Sequence, residues 1–322
     1  MHLEQIKNIC VVGAGLMGHG IGAAYALGGY RVVLNDISNE VLRTAMGHIK
    51  DDLETFVESS LITRNLVDGT LSRIKTTTDT EKAARDADFV TEAVSEDVEI
   101  KRDIFEKLDT ICPAHTILAS NTSSLVLSDF IGSVKRKDRV LVTHWFNPPH
   151  IVPVIEVVQG AYTSDDVFET VCALIRSIEK IPVKIYKEVP GFIVNRIQAA
   201  MLREAWSLWQ QGVASPGDID LAVKGSTGFR LAAIGPLMNC DASGLDLWYN
   251  IAQRLFKVIN DSHEPPEALK ERIESGALGL KSGKGIFDYK VSSTDQEQDE
   301  VAKLRDKRFI QLLKILYPEL QQ

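Results

Sequence analysis

One short stretch limits the fold more than any other: Val11-Val12-Gly13-Ala14-Gly15-Leu16-Met17-Gly18, where a β-branched run breaks into a glycine turn and then a helical pattern. The GxGxxG spacing alone carries little weight in a chain with 22 glycines. Its setting carries more. Gly13 permits a tight turn, Gly15 lets the backbone approach a pyrophosphate, and Gly18 allows a helix to pack closely on a strand, with Leu16 and Met17 in the same turn. A second strand ends at Asp36, about 20 residues on, where a carboxylate accepts hydrogen bonds from an adenine ribose. That charge repels a 2′-phosphate, and the next residue is Ile37 rather than an arginine, so the expected cofactor is NAD and not NADP.

The first half of the chain alternates short apolar runs with longer helical patterns, as βαβ units around a mostly parallel sheet do. Strands are predicted over 9–13, 31–35, 89–94, 116–120 and 140–144, each apolar at successive positions as a sheet covered on both faces requires. Two more, 154–158 and 183–186, extend the sheet, with a helix over 164–178 between them and Pro182 just before the second. After Pro190-Gly191 the pattern turns helical. Stretches 192–211, 215–223 and 245–260 repeat apolar residues three and four apart, and Ser215-Pro216 reads as a cap and a first-turn proline. The expected fold class is α/β: a Rossmann-type doubly wound parallel sheet followed by an all-helical C-terminal domain. The boundary falls near residue 188, giving an NAD-binding domain over 1–188 and a helical domain over 189–322. The acidic stretch 291–300 reads as a loop before a last helix over 300–316.

Composition narrows the partners. With 36 Lys+Arg against 44 Asp+Glu the net charge is −8 and no basic run occurs, so binding to nucleic acid, which needs clustered cations, is not expected. No apolar run approaches the ~18 residues of a membrane span, and the opening MHLEQIKNIC lacks the layout of a signal peptide. No membrane partner is expected; the cytoplasm is the expected compartment, with the mitochondrial matrix as the alternative. Cys10, Cys112, Cys172 and Cys240 lie far apart without metal-ligand spacing, so reduced thiols and no metal are expected.

Polar residues gather at two predicted strand ends: Ser120-Asn121-Thr122-Ser123-Ser124 and His144-Trp145-Phe146-Asn147-Pro148-Pro149. Doubly wound sheets bind ligands beyond the carboxyl ends of their strands, the rim that also carries the glycine turn. Histidine is the natural acceptor of an alcohol proton at neutral pH, and Glu156 on the adjoining strand can hold the imidazole and compensate its charge. The loop from Glu92 to Lys101 passes the same rim, which makes Glu96 and Lys101 candidates for the cofactor's ribose or nicotinamide. His150 lies beside the pair and could assist. His2, His19, His48, His115 and His263 have nothing pairing them in the sequence and read as surface or packing residues.

Together, the glycine motif, Glu92-Ala93-Val94-Ser95-Glu96 with Lys101, the Ser120 to Ser124 run, the His144 to Pro149 run followed by Glu156, and Pro190-Gly191-Phe192-Ile193-Val194-Asn195-Arg196 resemble the L-3-hydroxyacyl-CoA dehydrogenase family. The resemblance spans roughly residues 5 to 290, in order and with matching separations. It implies His144 as general base with Glu156 as its partner, and Ser123 and Asn195 as hydrogen-bonding groups at the substrate oxygen. It also implies that Asp36, Glu96, Lys101, Asn121 and Asn147 surround the cofactor or the cleft. The implied reaction is NAD-dependent oxidation of a 3-hydroxyl to a ketone, foremost of an L-3-hydroxyacyl-CoA in fatty acid metabolism. The implied assembly is a homodimer joined through the helical domain, with Trp206, Trp209 and Trp248 as core or dimer residues.

Two stretches depart from the family's pattern. The helix after the second strand, where enzymes acting on coenzyme A carry basic residues, here sets Lys50 against Asp51, Asp52, Glu54 and Glu58, an arrangement that repels a phosphate. Thr227 to Leu237 is longer than the usual glycine-and-proline turn and contains Arg230, a form closer to members that oxidise small free acids, such as a pyridine-carboxylate dehydrogenase. A guanidinium such as that of Arg230 is able to clamp a carboxylate bidentately, which makes Arg230 a candidate substrate contact. A small free hydroxy acid or pyridine-type alcohol is therefore the alternative substrate. A non-enzymatic role, like that of a family relative found as a lens structural protein, is disfavoured by the intact set His144, Glu156, Ser123 and Asn195.

Overall fold

The structure, a computed structural model, describes residues 2–289 and 295–321. Strands β1 (Asn8–Val12), β2 (Arg31–Asn35), β3 (Ile74–Thr77), β4 (Phe89–Glu92), β5 (Ile117–Ser120), β6 (Val140–His144), β7 (Val154–Val158) and β8 (Ile181–Ile185) form one sheet in the order β3-β2-β1-β4-β5-β6-β7-β8. From β3 to β6 the strands run parallel; β7 is antiparallel to β6, and β8 is parallel to β7. The chain crosses over at β1, which pairs with β2 on one side and β4 on the other, and the glycine turn leaves the sheet at that switch point.

Helices α1 (Gly18–Leu27), α2 (Asn39–Glu58), α3 (Asn65–Ser72), α4 (Thr80–Ala84), α5 (Val98–Ile111) and α6 (Asp165–Ser177) connect the strands. Side chains of Ser38, Asp79, Asp97 and Ser164 accept backbone N–H groups at the starts of α2, α4, α5 and α6, satisfying donors that a helix leaves open. The continuous apolar runs are explained by β1: Ile9 and Val11 join the core on one face of the sheet, Cys10 and Val12 the core on the other. Strand β3 was not among the predicted strands. It lies at the sheet edge with only Ile74 buried, so no apolar run announces it.

Beyond Phe192 come α7 (Val194–Gln210), α8 (Pro216–Ala222), α9 (Phe229–Ala233), α10 (Pro236–Ser243), α11 (Leu245–Leu255) and α12 (Glu267–Glu274). Residues 223–228 form a π-helical turn joining α8 to α9, so the expected turn around Arg230 is helix, and the chain breaks only at Ile234-Gly235. The last helix, α13 (Asp295–Leu316), starts earlier than expected. Residues 291–294 of the predicted acidic loop lie outside the described residues.

The chain divides into two compact units, 193–304 and the rest. Residues 305–321 therefore belong with the sheet, whereas the sequence reading allotted them to the helical domain. Ile310, 1% exposed, packs with Phe56 of α2 and Ile151; Lys307 Nζ lies 3.1 Å from Glu58, and Lys314 Nζ donates to the carbonyl of Ser59. Among the described residues no helix is long and apolar enough to cross a membrane.

Candidate active site and cofactor cradle

The glycine turn is shaped by backbone crowding. Gly13 has φ +95° and its missing Cβ would sit 2.5 Å from the Ala93 carbonyl oxygen, while a Cβ on Gly18 would meet the Gly13 carbonyl at 1.8 Å. At Gly15 nothing lies within 4 Å of that position, so the backbone stands open to a ligand. Asp36, just past β2, accepts the Ala14 amide at 2.9 Å and the Ser38 amide at 3.1 Å. Its carboxylate is thereby held beside the turn, followed by the exposed Ile37. Leu16 is exposed at the tip of the turn and Met17 packs against the core. Open backbone at Gly15, the start of α1 at Gly18 and a fixed carboxylate at Asp36 fit NAD.

The neighbouring loops are held by charge. Lys101 Nζ, 1% exposed, lies 2.8 and 3.0 Å from the carboxylate of the fully buried Glu92 and 3.3 Å from Glu96 Oε2. Ser120 Oγ and the Val94 amide also donate to Glu92. Glu96 Oε1 accepts from the Thr122 hydroxyl at 2.6 Å and from the amides of Ser123 and Ser124 at 2.8 and 2.9 Å. Burial opposes the Glu96 charge, but the Thr122 hydroxyl, the Ser124 amide, Lys101 and the Ser123 amide outweigh it and hold the carboxyl at about 2. Glu96 and Lys101 thus clamp the loop after β4 to the loop after β5. Glu92, to which the sequence reading gave no role, is the centre of this network; a carboxylate closing an apolar strand was the available signal.

His144 ends β6, and the antiparallel register sets it directly opposite Glu156 on β7. Nδ1 lies 2.7 Å from Glu156 Oε2, with side-chain exposures of 3% and 0%. An ionised carboxylate can only accept, so Nδ1 carries the proton and Nε2 presents a lone pair. The rings of Phe146 and Phe192 flank the imidazole at 4.6 and 5.5 Å, contacts that no sequence spacing indicated. Asn121 Oδ1 accepts the Trp145 amide at 2.8 Å, tying the loop after β5 to the loop after β6. Ser123 and Asn147 are exposed in these two loops. Asn195 and Arg230 belong to the other unit, the first half-buried in the opening turn of α7, the second exposed on α9.

Several side chains depart from the sequence reading. His19 and His115 do have carboxylate neighbours, Asp52 at 3.7 Å and Asp88 at 3.0 Å. His48 stacks edge-on against His19. His150 approaches Asp52, 3.5 Å away. Burial lowers His150 to about 3 and raises Asp52 to about 7, the latter helped by Asp306 and Asp51 and opposed by Arg305. The acidic face of α2 is also less acidic than it reads: Glu54 pairs with Arg64, Glu58 with Lys307, and Asp52 is turned inward.

A nucleotide turn at one strand end and a histidine–carboxylate pair at another make this rim that of a dinucleotide-dependent dehydrogenase. The descriptions "3-hydroxyacyl-CoA dehydrogenase, NAD binding domain" and "3-hydroxyacyl-CoA dehydrogenase, C-terminal domain" match residues 8–189 and 191–289. The chain belongs to the 3-hydroxyacyl-CoA dehydrogenase family and is an NAD-dependent oxidoreductase acting on a CH–OH group. It is 34% identical over 299 residues to the 5-formyl-3-hydroxy-2-methylpyridine 4-carboxylate 5-dehydrogenase of Mesorhizobium japonicum, covering 93% of this chain and 96% of the relative. It is 35% identical over 292 residues to human mitochondrial hydroxyacyl-coenzyme A dehydrogenase, covering 88% and 92%. A crystal structure of a 5-formyl-3-hydroxy-2-methylpyridine 4-carboxylic acid 5-dehydrogenase, described as an NAD+-dependent dismutase, superposes with TM-score 0.89 at 32% identity, covering 97% of this chain and 99% of its own.

Proposed function

We propose that this chain oxidises a 3-hydroxyl to a ketone with His144 as general base. The reading is carried by the His144–Glu156 pair, a buried 2.7 Å hydrogen bond that leaves Nε2 as proton acceptor. His144 takes the hydroxyl proton, and Glu156 keeps the ring in its tautomer and compensates the charge the ring acquires. In the reverse direction the protonated ring returns the proton to the carbonyl oxygen. NAD, when bound, supplies the hydride acceptor. Gly13, Gly15, Leu16, Met17 and Gly18 cradle its pyrophosphate and Asp36 its adenine ribose, while Glu96, Lys101, Asn121 and Asn147 shape the loops on its nicotinamide side. Ser123 and Asn195 orient the substrate oxygen.

The family match supports an L-3-hydroxyacyl-CoA as substrate. A compact free acid is a second reading, favoured by the close superposition on the pyridine-acid dehydrogenase structure. Arg230 is then the clamp for the acid's carboxylate. Initial rates of NADH formation with 3-hydroxybutyryl-CoA, beside a panel of free hydroxy acids and pyridine alcohols, separate the two. No turnover of any CoA ester removes the first substrate, and no turnover of any alcohol removes the reaction.

The division of labour we propose is an NAD-binding domain up to residue 188, to which the chain returns from residue 305, and a helical domain between them that binds substrate and joins two copies, in the cytoplasm. Exposed apolar side chains on the helical unit support the dimer: Leu237, Phe229, Phe256 and Val258 are 75% exposed or more.

A further inference from the structure

Three side chains from elements distant in sequence meet away from the His144–Glu156 pair: His19 in the first turn of α1, Asp52 on α2, and His150 between β6 and β7. One ligand atom from each, a ring nitrogen or a carboxylate oxygen, lies within 4.8 Å of the other two. His19 Nε2 is 3.7 Å from Asp52 Oδ2, and His150 Nε2 is 3.5 Å from Asp52 Oδ1. Both separations are long for hydrogen bonds. They are close to the ~3.3 Å edge of a tetrahedron of ligands around an ion with bonds of about 2.0 to 2.1 Å.

The hydrogen bonding points the same way. The Gly15 carbonyl can only accept, so His19 Nδ1, 2.8 Å from it, carries the proton and the Nε2 lone pair faces Asp52. Imidazoles that ligate metals are commonly held in this way, with the other ring nitrogen donating to a carbonyl. With Asp52 ionised, the lone pair and the carboxylate oxygen are two acceptors facing each other across 3.7 Å. Asp52 Oδ2 is buried without a hydrogen-bond partner, and so is Nδ1 of His150, whose side chain is only 7% exposed. Unsatisfied buried polar atoms are costly, and a cation among the three groups relieves the carboxylate.

We propose that His19, Asp52 and His150 bind one divalent transition-metal ion per chain, zinc being the best match. Two neutral imidazoles and one carboxylate suit zinc and disfavour magnesium or calcium, which take oxygen ligands. A cavity of about 910 Å³ that Asp52 and His150 help to line gives the ion an entry path and a fourth position for water. The ion pins α1, α2 and the loop after β6 together. Through His19 it also braces the Gly15 carbonyl of the nucleotide turn, so its part is structural.

The test uses the full-length protein after treatment with a chelator. Titrating Co2+ should produce the visible absorption of a tetrahedral site, saturating at one equivalent and displaced by Zn2+ but not by Mg2+. Asp52→Asn and His150→Gln should each weaken Zn2+ binding by at least ~10-fold. Zn2+ should raise the wild-type melting temperature and leave that of the variants unchanged. His19→Gln gives the same reading where either variant fails to fold. Absence of a one-equivalent site, or binding that all three substitutions leave intact, overturns the proposal. Metal-independent stability that follows pH alone also overturns it, in favour of a proton shared among the three groups.

Discussion

His144 shows how much one residue owes to its neighbour. Its ring is buried and its Nδ1 is engaged by Glu156, so only Nε2 is left for chemistry. Replacing His144 with Gln should lower kcat by a factor on the order of 10² to 10⁴ while NAD affinity, measured by fluorescence titration, stays near that of the wild type. Unchanged turnover would remove His144 from the mechanism. The pair was legible because a strand-end histidine and a carboxylate on the next strand are local signals that the register then joins. Lys101 was legible only as a polar residue near the cofactor rim. Its burial against Glu92 depends on β4 and α5 packing together, which spacing along the chain does not reveal.

At the scale of elements, the loops after β4 and β5 depend on one carboxylate. The folded-state value of Glu96 is about 2 against an ordinary 4.5, so its contribution to stability is complete above about pH 4.5 and is lost as pH falls toward 2. The melting-temperature advantage of the wild type over Glu96→Gln should therefore shrink across that window; a constant difference would rule out the linkage. Helix α13 makes a second case. Ile310→Ala should cost about 2 to 5 kcal/mol in chemical denaturation, because the side chain is buried against Phe56 and Ile151. A cost below ~0.5 kcal/mol would mean that α13 is not anchored there. The sequence reading expected a last helix after the acidic stretch, but its docking against α2 follows from Phe56 and Ile310 meeting across more than two hundred residues. The edge strand β3 and the helical course through Arg230 escaped the sequence for the opposite reason, since both carry weak or turn-like local patterns.

The whole molecule is uneven in its burial. The sheet unit holds two extensive apolar cores, whereas among the described residues of 193–304 only Ser207 is classed as buried. A unit so poor in internal core needs further surface to cover its apolar side chains, which in the proposed dimer a second copy of the chain would supply. Sedimentation equilibrium should give a mass of twice 35.6 kDa. Leu237→Glu combined with Phe256→Glu should shift the population to monomer, and a wild-type protein that sediments as a monomer at micromolar concentration would exclude this assembly. The net charge of −8 changes meaning at this scale too. Glu54 and Glu58 have basic partners and Asp52 faces two histidines, so the acidity of α2 is largely internal and says less about an anionic substrate than its letters suggest.

From its sequence alone this protein had its Rossmann-type sheet, its glycine turn with Asp36 and its His144–Glu156 pair, because each rests on local periodicity or on residues at adjoining strand ends. The tertiary structure decided the rest. It joined Glu92 to Lys101, set α13 on α2, and brought His19, Asp52 and His150 within reach of a single ion. Those contacts link positions whose separation along the chain carries no signal, and only the packing of the elements brings them together.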